Sequence, residues 1–294
     1  MSPWAIEFDH ISKSYTPEEV VLTDINLSIK AGELVVLLGH SGCGKTTLLK
    51  LVNKLLDFDS GYLRIHGKKI SDWDIEQLRR SIGWAIQHGA LFPHMRIWEN
   101  ISYVLRLQGV EKNRRRERAA ELLQVVGLPA EYLDRYPRSL SGGQRQRVGV
   151  ARALAANPSI ILMDEPFGAV DEQTRLQLQQ ELLQIHARFG QTILFVTHDI
   201  HEAFRLGDRI VLIDEGKILQ AGSKEELVFE PASERVSSFL GTKGFSALLD
   251  DELLCDLHAQ VQSGSFDPDL CLQRLAAIKG PALKAGPSAS DRSP

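Results

Sequence analysis

The sequence predicts an α/β fold in which an antiparallel β region comes first and a helical insertion divides the core. Three observations lead to this prediction. Alternating strands occupy the first part of the chain, helical periodicity dominates residues 97–156, and strand–helix alternation resumes from residue 159. Alternating strands and helices are typical of a sheet covered by helices. We therefore expect a core that the insertion interrupts and that closes again behind it.

The first strands are recognised by their apolar pattern. IEFDHI alternates, and DINLSI places Ile25, Leu27 and Ile29 on one face, as expected of half-buried strands. LVVLL at residues 34–38 is apolar throughout, which indicates a strand buried on both faces. SGYLRIHGKKI predicts a hairpin that turns at residues 66–67.

The domain organisation follows from these patterns. We assign residues 1–240 to one domain, with the helical insertion at about residues 88–157. Residues 241–294 are predicted as an appendage of unknown role. Within it, LLDDELLCDLHAQVQ and DLCLQRLAAI resemble short amphipathic helices, and the final KGPALKAGPSASDRSP has a composition typical of disorder.

Composition and charge favour a cytosolic globular protein. Hydrophobic residues make up 43% of the chain and charged residues 24%. A net charge of -4 gives no reason to expect nucleic-acid binding, which normally needs a basic excess. Cys43, Cys255 and Cys271 form no metal spacing and no even disulfide framework. The N-terminus resembles no signal peptide, and the apolar runs are too short to span a bilayer.

The glycine-rich segment GHSGCGKTT directly follows the apolar strand and matches G-x-x-x-x-G-K-[ST]. Its glycines let backbone N–H groups point inward and, with the positive end of the next helix, form an anion cradle. Lys45 can reach β- and γ-phosphates, and the Thr46 hydroxyl can ligate Mg²⁺. A chance glycine-rich turn is the alternative, but the flanking strand and helix favour a P-loop NTPase core. The candidate phosphate-binding residues are Gly39, His40, Ser41, Gly42, Cys43, Gly44, Lys45, Thr46 and Thr47.

Two carboxylates follow the buried strand in SIILMDEP, where the carboxyl edge of the sheet would carry a site. Asp164 is the candidate Mg²⁺ ligand, through water. Glu165 is the candidate general base that orients an attacking water. Acidic residues at strand ends are also common in turns, so this interpretation depends on the glycine-rich loop.

Other segments are ambiguous when taken alone. LSGGQ opens a helix with Ser141 as a good N-cap, and it forms either a second anion cradle without a lysine or an ordinary capped start. His198 at a strand end is more often structural than catalytic. Gln87 carries no signal in isolation, and Tyr15 fits an ordinary aromatic residue near the end of an edge strand.

The motifs taken together resemble the nucleotide-binding subunits of ABC transporters over about residues 4–240. The glycine loop, Gln87, LSGGQ, ILMDE, GAVD and TH occur in the order of that family. The resemblance implies the ABC ATPase fold, a P-loop NTPase core with an antiparallel β subdomain and a helical insertion. It also implies ATP and Mg²⁺ as cofactors and ATP hydrolysis coupled to transport.

The resemblance gives the ambiguous residues specific roles. Tyr15 would stack on adenine, a contact worth roughly 1 kcal/mol. Gln87 would sense Mg²⁺ and the attacking water, and His198 would contact the γ-phosphate.

The resemblance also implies a homodimer whose two sites are shared. The LSGGQ segment of one subunit closes over the γ-phosphate held by the other subunit, and Asp171 lies at the dimer contact. The segment acting in trans comprises Ser141, Gly142, Gly143 and Gln144.

Cys43 stands beside the predicted helix N-terminus, a position that favours the thiolate. We hypothesise that alkylation of Cys43 blocks ATP binding and that ATP protects the thiol.

Within the family, LRRSIG…IQ…LFPHM…ENI and DEPFGAVDEQTRLQLQ resemble the ATPases of importers for quaternary-amine osmoprotectants such as glycine betaine, choline or carnitine. Two departures are visible: Val170 stands where leucine is usual, and the tail is too short for the paired CBS domains that many members carry. The alternatives are an ATPase for amino-acid import or lipid trafficking, and a soluble ABC ATPase that acts in translation or DNA repair.

Such a subunit would lie on the cytoplasmic face of the inner (plasma) membrane, where integral-membrane permease subunits would hold it. A solute-binding protein would be an indirect partner that brings solute to the permease. We expect the permease to dock beside the insertion, near Gln87. Leu91, Phe92 and Met95 are either exposed anchors for a permease helix or packed inside the insertion.

Overall fold

The protein is described from a computed structural model that covers residues 3–86, 90–168, 170–249 and 262. The chain divides into two compact units, Met1–Ala221 and Gly222–Pro294. The first unit contains two β-sheets with the helices that connect their strands, and it carries all the described candidate site residues.

The first sheet is antiparallel and has the strand order β2-β1-β4-β5. Its strands are β1 (Trp4–Thr16), β2 (Glu19–Lys30), β4 (Ser60–Ile65) and β5 (Lys68–Lys69). In β1, Phe8 lies opposite Leu27 of β2 and opposite Leu63 of β4, and all three side chains are buried. The predicted face of Ile25, Leu27 and Ile29 is therefore confirmed.

The second sheet has the order β10-β9-β3-β8-β7-β6. Its strands are β3 (Leu34–Leu38), β6 (Ile82–Ala85), β7 (Ile160–Asp164), β8 (Thr192–Thr197), β9 (Arg209–Asp214) and β10 (Lys217–Gly222). Strands β6, β7, β8, β3 and β9 pair in parallel. Every residue of β3, β7 and β8 is buried, which explains their continuous apolar runs.

Helices connect these strands. They are α1 (Lys45–Val52), α2 (Ile75–Ser81), α3 (Ile97–Ile101), α4 (Tyr103–Leu107), α5 (Lys112–Val125), α6 (Gly142–Leu154), α7 (Glu172–Phe189) and α8 (Ile200–Leu206). Helices α3–α6 lie between β6 and β7, where the sequence predicts helical structure. Within the described residues, no helix combines the length and the apolarity that crossing a bilayer requires.

One helix ends earlier than its periodicity predicts. In the sequence, the apolar spacing after the glycine loop predicts a helix that extends to Leu56, but α1 stops at Val52. The residues at helical spacing are Leu48, Leu49, Val52, Leu55 and Leu56. Lys54 adopts a left-handed conformation with φ 50, which the α-helix does not allow, and Leu55 is 45% exposed. The short elements α2 and β6 are not recognised from the sequence, because neither is long enough to show a clear period.

The two sheets are joined at their strand ends by polar contacts. Arg209 donates to the Ser28 carbonyl oxygen at 2.7 Å and pairs with Glu33. The Thr23 N–H donates to the Gly216 carbonyl oxygen at 2.8 Å. Between these joints, apolar side chains of β1, β2, β3 and α1 form one buried cluster, and this cluster lies beneath the glycine-rich loop.

The second unit contains α9 (Lys224–Phe229) and α10 (Glu234–Leu248). Gly241 interrupts α10 with φ 47 and ψ -146. The domain limit at residue 240 and the appendage at 241–294 stay predictions. The predicted amphipathic segment DLCLQRLAAI and the predicted disordered tail lie outside the described residues, and LLDDELLCDLHAQVQ does so almost entirely.

Two phenylalanines provide a matched test of this core. Phe195 in β8 is fully buried and packs on Phe167 at 5.7 Å between ring centroids, whereas Phe189 at the end of α7 is 45% exposed. We expect Phe195→Ala to lower the free energy of unfolding by about 3–5 kcal/mol. Phe189→Ala is expected to lower it by less than about 1 kcal/mol. Urea titrations of both variants measure this difference, and equal losses would contradict the packing described.

Candidate functional site

The glycine-rich loop connects β3 to α1 and approaches its surroundings closely. A Cβ atom at Gly39 would lie 2.1 Å from the Ile213 carbonyl oxygen, so no larger residue fits there. Gly44 has φ 103 and is the N-cap of α1. Because glycine has no side chain to cap the helix, the first N–H groups of α1 stay available to an anion. His40, Ser41 and Gly42 form the exposed rim of the loop.

Lys45 lies inside the loop. The side chain is 4% exposed, and its Nζ donates to the carbonyl oxygens of Gly39 and His40, at 2.8 Å each. A buried ammonium group requires such partners. The loop thus holds a positive charge at the place where the motif predicts phosphate.

Cys43 differs from its sequence-based expectation. The thiol is 7% exposed, and burial raises its pKa, although nearby Lys45 acts in the opposite direction. Lys45 Nζ lies 3.7 Å from Cys43 Sγ. The expectation that the helix N-terminus favours the thiolate is therefore wrong, because desolvation outweighs the attraction of neighbouring positive charge.

Thr46 and Asp164 form a pair across the site. The Thr46 hydroxyl donates to Asp164 Oδ1 at 3.0 Å, and Asp164 is 3% exposed at the end of β7. Burial raises the pKa of Asp164, with a further rise from the neighbouring Glu165, while the Thr46 hydrogen bond opposes both. A buried carboxylate of this kind is stabilised by a cation.

The oxygen atoms of Thr46 and Asp164 are the hard ligands that Mg²⁺ prefers. Within the described ranges, no group of three His, Cys, Asp or Glu side chains converges as a metal site. The residues fit an ion that takes most of its ligands from phosphate and water, as Mg²⁺ does at nucleotide sites.

Glu165 and His198 come together at the ends of neighbouring strands. Strands β7 and β8 are parallel, and His198 Nδ1 lies 3.1 Å from Glu165 Oε1. The Glu165 side chain is 18% exposed and that of His198 is 59% exposed, so this pair lies at the mouth of the site. The strand-end histidine, ambiguous in the sequence, is thereby located at the candidate base.

Tyr15 lies beside the loop at the end of β1. Its hydroxyl is 3.4 Å from Thr47 Oγ1, and the side chain is 47% exposed. The ring is therefore free to stack against a planar group held next to the loop. Gln87, the remaining candidate for the Mg²⁺ and water site, lies outside the described residues.

The LSGGQ segment forms the start of α6. The Gln144 N–H donates to Ser141 Oγ at 3.2 Å, and the Ser141 N–H donates to Gln144 Oε1 at 2.9 Å. This reciprocal capping box satisfies two N–H groups of the first turn. Ser141 and Gly142 are exposed, whereas Gly143 is half-buried. The segment presents a pre-formed helix start on the protein surface.

Asp171 caps the next long helix. Its Oδ1 accepts from the Thr174 N–H at 3.0 Å at the start of α7, and this hydrogen bond lowers the pKa of Asp171. The carboxylate is exposed and stays charged at neutral pH. It is available to a partner surface.

One buried residue of the site is not recognisable from the sequence. Gln146 in α6 is 3% exposed, and its Nε2 donates to the Glu165 carbonyl oxygen at 2.8 Å. A glutamine among the polar residues of RQRV gives no sign of burial, because only the tertiary fold brings α6 against the end of β7.

The segment before α3 is half-buried. Its side chains are therefore neither fully exposed nor fully packed inside the insertion, the two alternatives that the sequence left open. Leu91, Phe92 and Met95 are all partly exposed. The Phe92 ring packs on Tyr103 at 4.7 Å, and Asn100 hydrogen-bonds to the Phe92 N–H and carbonyl groups. Phe92 also lines a cleft of ≈ 280 Å³, so one side of its ring is held and the other faces an opening.

Comparisons with known proteins identify the family of the chain. The family model "ABC transporter" matches residues 22–168. The glycine betaine/carnitine/choline transport ATP-binding protein OpuCA of Bacillus subtilis is 48% identical over 80% of this chain and 62% of its own length. The glycine betaine uptake system ATP-binding protein YehX of Escherichia coli is 47% identical over 80% of this chain and 76% of its own length.

A solved structure shows the same architecture. The ATP-binding cassette MJ0796, in a dimeric post-hydrolysis state bound to ADP and Pi, superposes with a TM-score of 0.70 and 35% identity over 74% of this chain and 98% of that chain. The predicted ABC ATPase fold and the resemblance to osmoprotectant ATP-binding proteins are confirmed. The chain spans about three fifths of the length of the first curated relatives that it matches. By sequence and by fold, the chain belongs to the ABC transporter family.

Proposed function

We propose that the chain is the ATP-hydrolysing subunit of an ABC importer for a quaternary-amine osmoprotectant. The observation that carries this proposal is the convergence of one lysine and two side-chain pairs at one edge of the parallel sheet. Lys45 lies in the loop after β3, Thr46 meets Asp164 at the end of β7, and Glu165 meets His198 across β7 and β8. Sites of α/β proteins form at this carboxyl edge.

ATP would be held mainly by the loop. The N–H groups of residues 39–47 surround the phosphates, and the Lys45 ammonium exchanges carbonyl partners for phosphate oxygens. Tyr15 would stack on the adenine. Its exposed ring and its position 3.4 Å from Thr47 support that role.

Thr46 and Asp164 would hold Mg²⁺, with Gln87 as a further contact. The ion, when bound, neutralises charge on the phosphates. The 3.0 Å contact between the two protein oxygens supports a shared role at one ion. A divalent cation would also compensate the burial that raises the pKa of Asp164.

Glu165 would act as the general base. Its carboxylate would orient a water molecule and accept a proton from it as the water attacks the γ-phosphorus. The bond between the γ-phosphorus and the bridging oxygen then breaks, and ADP leaves with that oxygen. His198 would hold this carboxylate through the 3.1 Å contact and reach towards the γ-phosphate. Positioning and charge stabilisation then account for most of the rate enhancement.

A second copy of the chain would complete each site. The exposed α6 start supplies Ser141, Gly142, Gly143 and Gln144 to the γ-phosphate of the partner, and Asp171 lies at the dimer contact. ATP would bridge two chains only when they are closed, so it supplies the differential affinity that drives closure. Hydrolysis would then release the dimer.

The subunit would act at a membrane through its partners. We infer that an integral-membrane permease helix docks in the cleft beside Phe92, and that a solute-binding protein delivers the solute to the permease. The subunit would be peripheral on the cytoplasmic face of the inner membrane. The net charge of -4 supports a role without nucleic acid.

The proposed solute is inferred from the relatives to which the chain is similar in sequence. No side chain of the nucleotide site contacts transported solute in this proposal, so its chemistry gives no information about the cargo. The names of the relatives OpuCA and YehX, which refer to glycine betaine, carnitine and choline, support a quaternary amine.

Uptake by cells lacking this gene tests the assignment. We expect the loss of saline-stimulated uptake of radiolabelled glycine betaine, choline or carnitine, and its return when the intact gene is supplied. Glutamate uptake serves as the control for the amino-acid alternative. Unchanged uptake of all three quaternary amines, or loss of glutamate uptake alone, would refute the osmoprotectant assignment.

Glu165→Gln is expected to abolish turnover while ATP binding persists. The amide keeps the shape of the side chain but accepts no proton, so phosphate release should fall by at least about 100-fold. ATP should then trap a dimer that size-exclusion chromatography detects. Near-normal phosphate release by this variant would remove Glu165 from its proposed role.

Alkylation of Cys43 is expected to be slow at neutral pH. Because burial raises the pKa of the thiol, the reactive thiolate is scarce at pH 7 and its fraction grows as the pH rises. Peptide mass spectrometry after iodoacetamide treatment measures the rate, with urea-unfolded protein as the reference. A folded protein that reacts faster than the unfolded chain at pH 7 would contradict this expectation. Slowing by ATP would support nucleotide next to the thiol.

A further inference from the structure

The backbone of Glu165 adopts an unusual conformation. Its φ is 44, in the left-handed region that residues other than glycine seldom adopt. Such a conformation persists only where surrounding contacts impose it. The direction of the Glu165 side chain therefore depends on the groups that hold this backbone.

Hydrogen bonds to at least three described residues hold it. The Glu165 N–H donates to the Val196 carbonyl oxygen of β8 at 3.0 Å. Its carbonyl oxygen accepts from the Gly168 N–H at 3.2 Å and from Gln146 Nε2 at 2.8 Å. Val196 belongs to the neighbouring strand β8, and Gly168 belongs to the turn that follows Glu165. The bond from Gln146 alone among these three comes from the helical segment between β6 and β7.

Gln146 lies close to the surface end of its helix. It lies five positions after the N-cap Ser141, which at about 1.5 Å per residue corresponds to about 7.5 Å along the axis. The capping box of Ser141 and Gln144 makes this first turn a rigid extension of α6. A displacement of the α6 start is thus transmitted to Gln146.

From this geometry we propose that Gln146 is a positioning residue that couples the two ATP sites of the dimer. The inference rests on the proposed function, in which the α6 start closes on the nucleotide of the partner chain. Closure moves α6 and with it the amide of Gln146, which sets the backbone of Glu165 in the other site. The Glu165 carboxylate of each chain therefore reaches its catalytic geometry when the α6 start of the same chain closes over the nucleotide of the partner chain.

The expected effect on the rate follows from the distance between the Glu165 backbone and its carboxylate, because a small backbone rotation displaces the carboxylate. A rotation of about 20° at the Glu165 backbone would move its carboxylate by about 1 Å, a misplacement that can cost about 10²-fold in rate. ATP affinity depends instead on the loop and Lys45, whose ammonium group is held by the carbonyl oxygens of Gly39 and His40. The coupling therefore predicts a loss in kcat without a matching loss in binding.

The experiment compares the full chain with Gln146→Met, which keeps the side-chain length but removes the N–H donor. Gln124→Met, at an exposed position on α5, is the matched control. Phosphate release is measured against ATP concentration, and the Kd of a non-hydrolysable ATP analogue is measured by calorimetry. We expect at least a tenfold lower kcat for Gln146→Met, a Kd within about threefold of wild type, and a Hill coefficient that falls to 1. The control should match wild type in all three values.

Gln146→Leu provides a second variant if the methionine variant is unstable, and thermal unfolding shows which variants are folded. A folded variant with wild-type kcat and Hill coefficient would overturn the inference. A lowered kcat with an unchanged Hill coefficient would also overturn it, because Gln146 would then act within one site only. A wild-type chain that neither hydrolyses ATP nor dimerises with it would instead refute the proposed function.

Discussion

The parallel register of β3, β8 and β7 is the constraint on which the site depends. Leu38, the last residue of β3, pairs with Thr197, and Val196 pairs with Asp164. The three strands therefore end at one level. This alignment places Lys45, Asp164, Glu165 and His198 at a common edge, although they come from three separate parts of the sequence. The buried cluster beneath the loop fixes that level, since a shift of one strand would expose apolar side chains.

Much of this arrangement could be predicted from the sequence, for identifiable reasons. The run at residues 34–38 and the strand before Asp164 are apolar throughout, and such runs report strands buried on both faces. The glycine loop could also be predicted from its motif. The close approach of the Ile213 carbonyl oxygen to Gly39 explains why no larger residue stands there. The strand patterns are local, whereas the steric limit at Gly39 comes from the Ile213 carbonyl oxygen.

The remaining features arise from tertiary contacts. Gln146 is buried only because α6 packs near the end of β7, and no local pattern records that neighbour. The early end of α1 depends on the left-handed backbone of Lys54. At Cys43 two effects on the pKa of the thiol oppose each other. The sequence reveals the helix N-terminus, whereas the burial that raises the pKa appears only in the folded chain.

The ammonium group of Lys45 has a consequence for how fast the loop can exchange ligands. It rests on the carbonyl oxygens of Gly39 and His40, in a side chain that is 4% exposed. Its water shell is therefore removed when the chain folds. The lysine thus serves as an internal template for the shape of the loop. In the proposed function, phosphate binding would exchange the oxygen partners of a dehydrated cation, with little rearrangement of the surrounding chain.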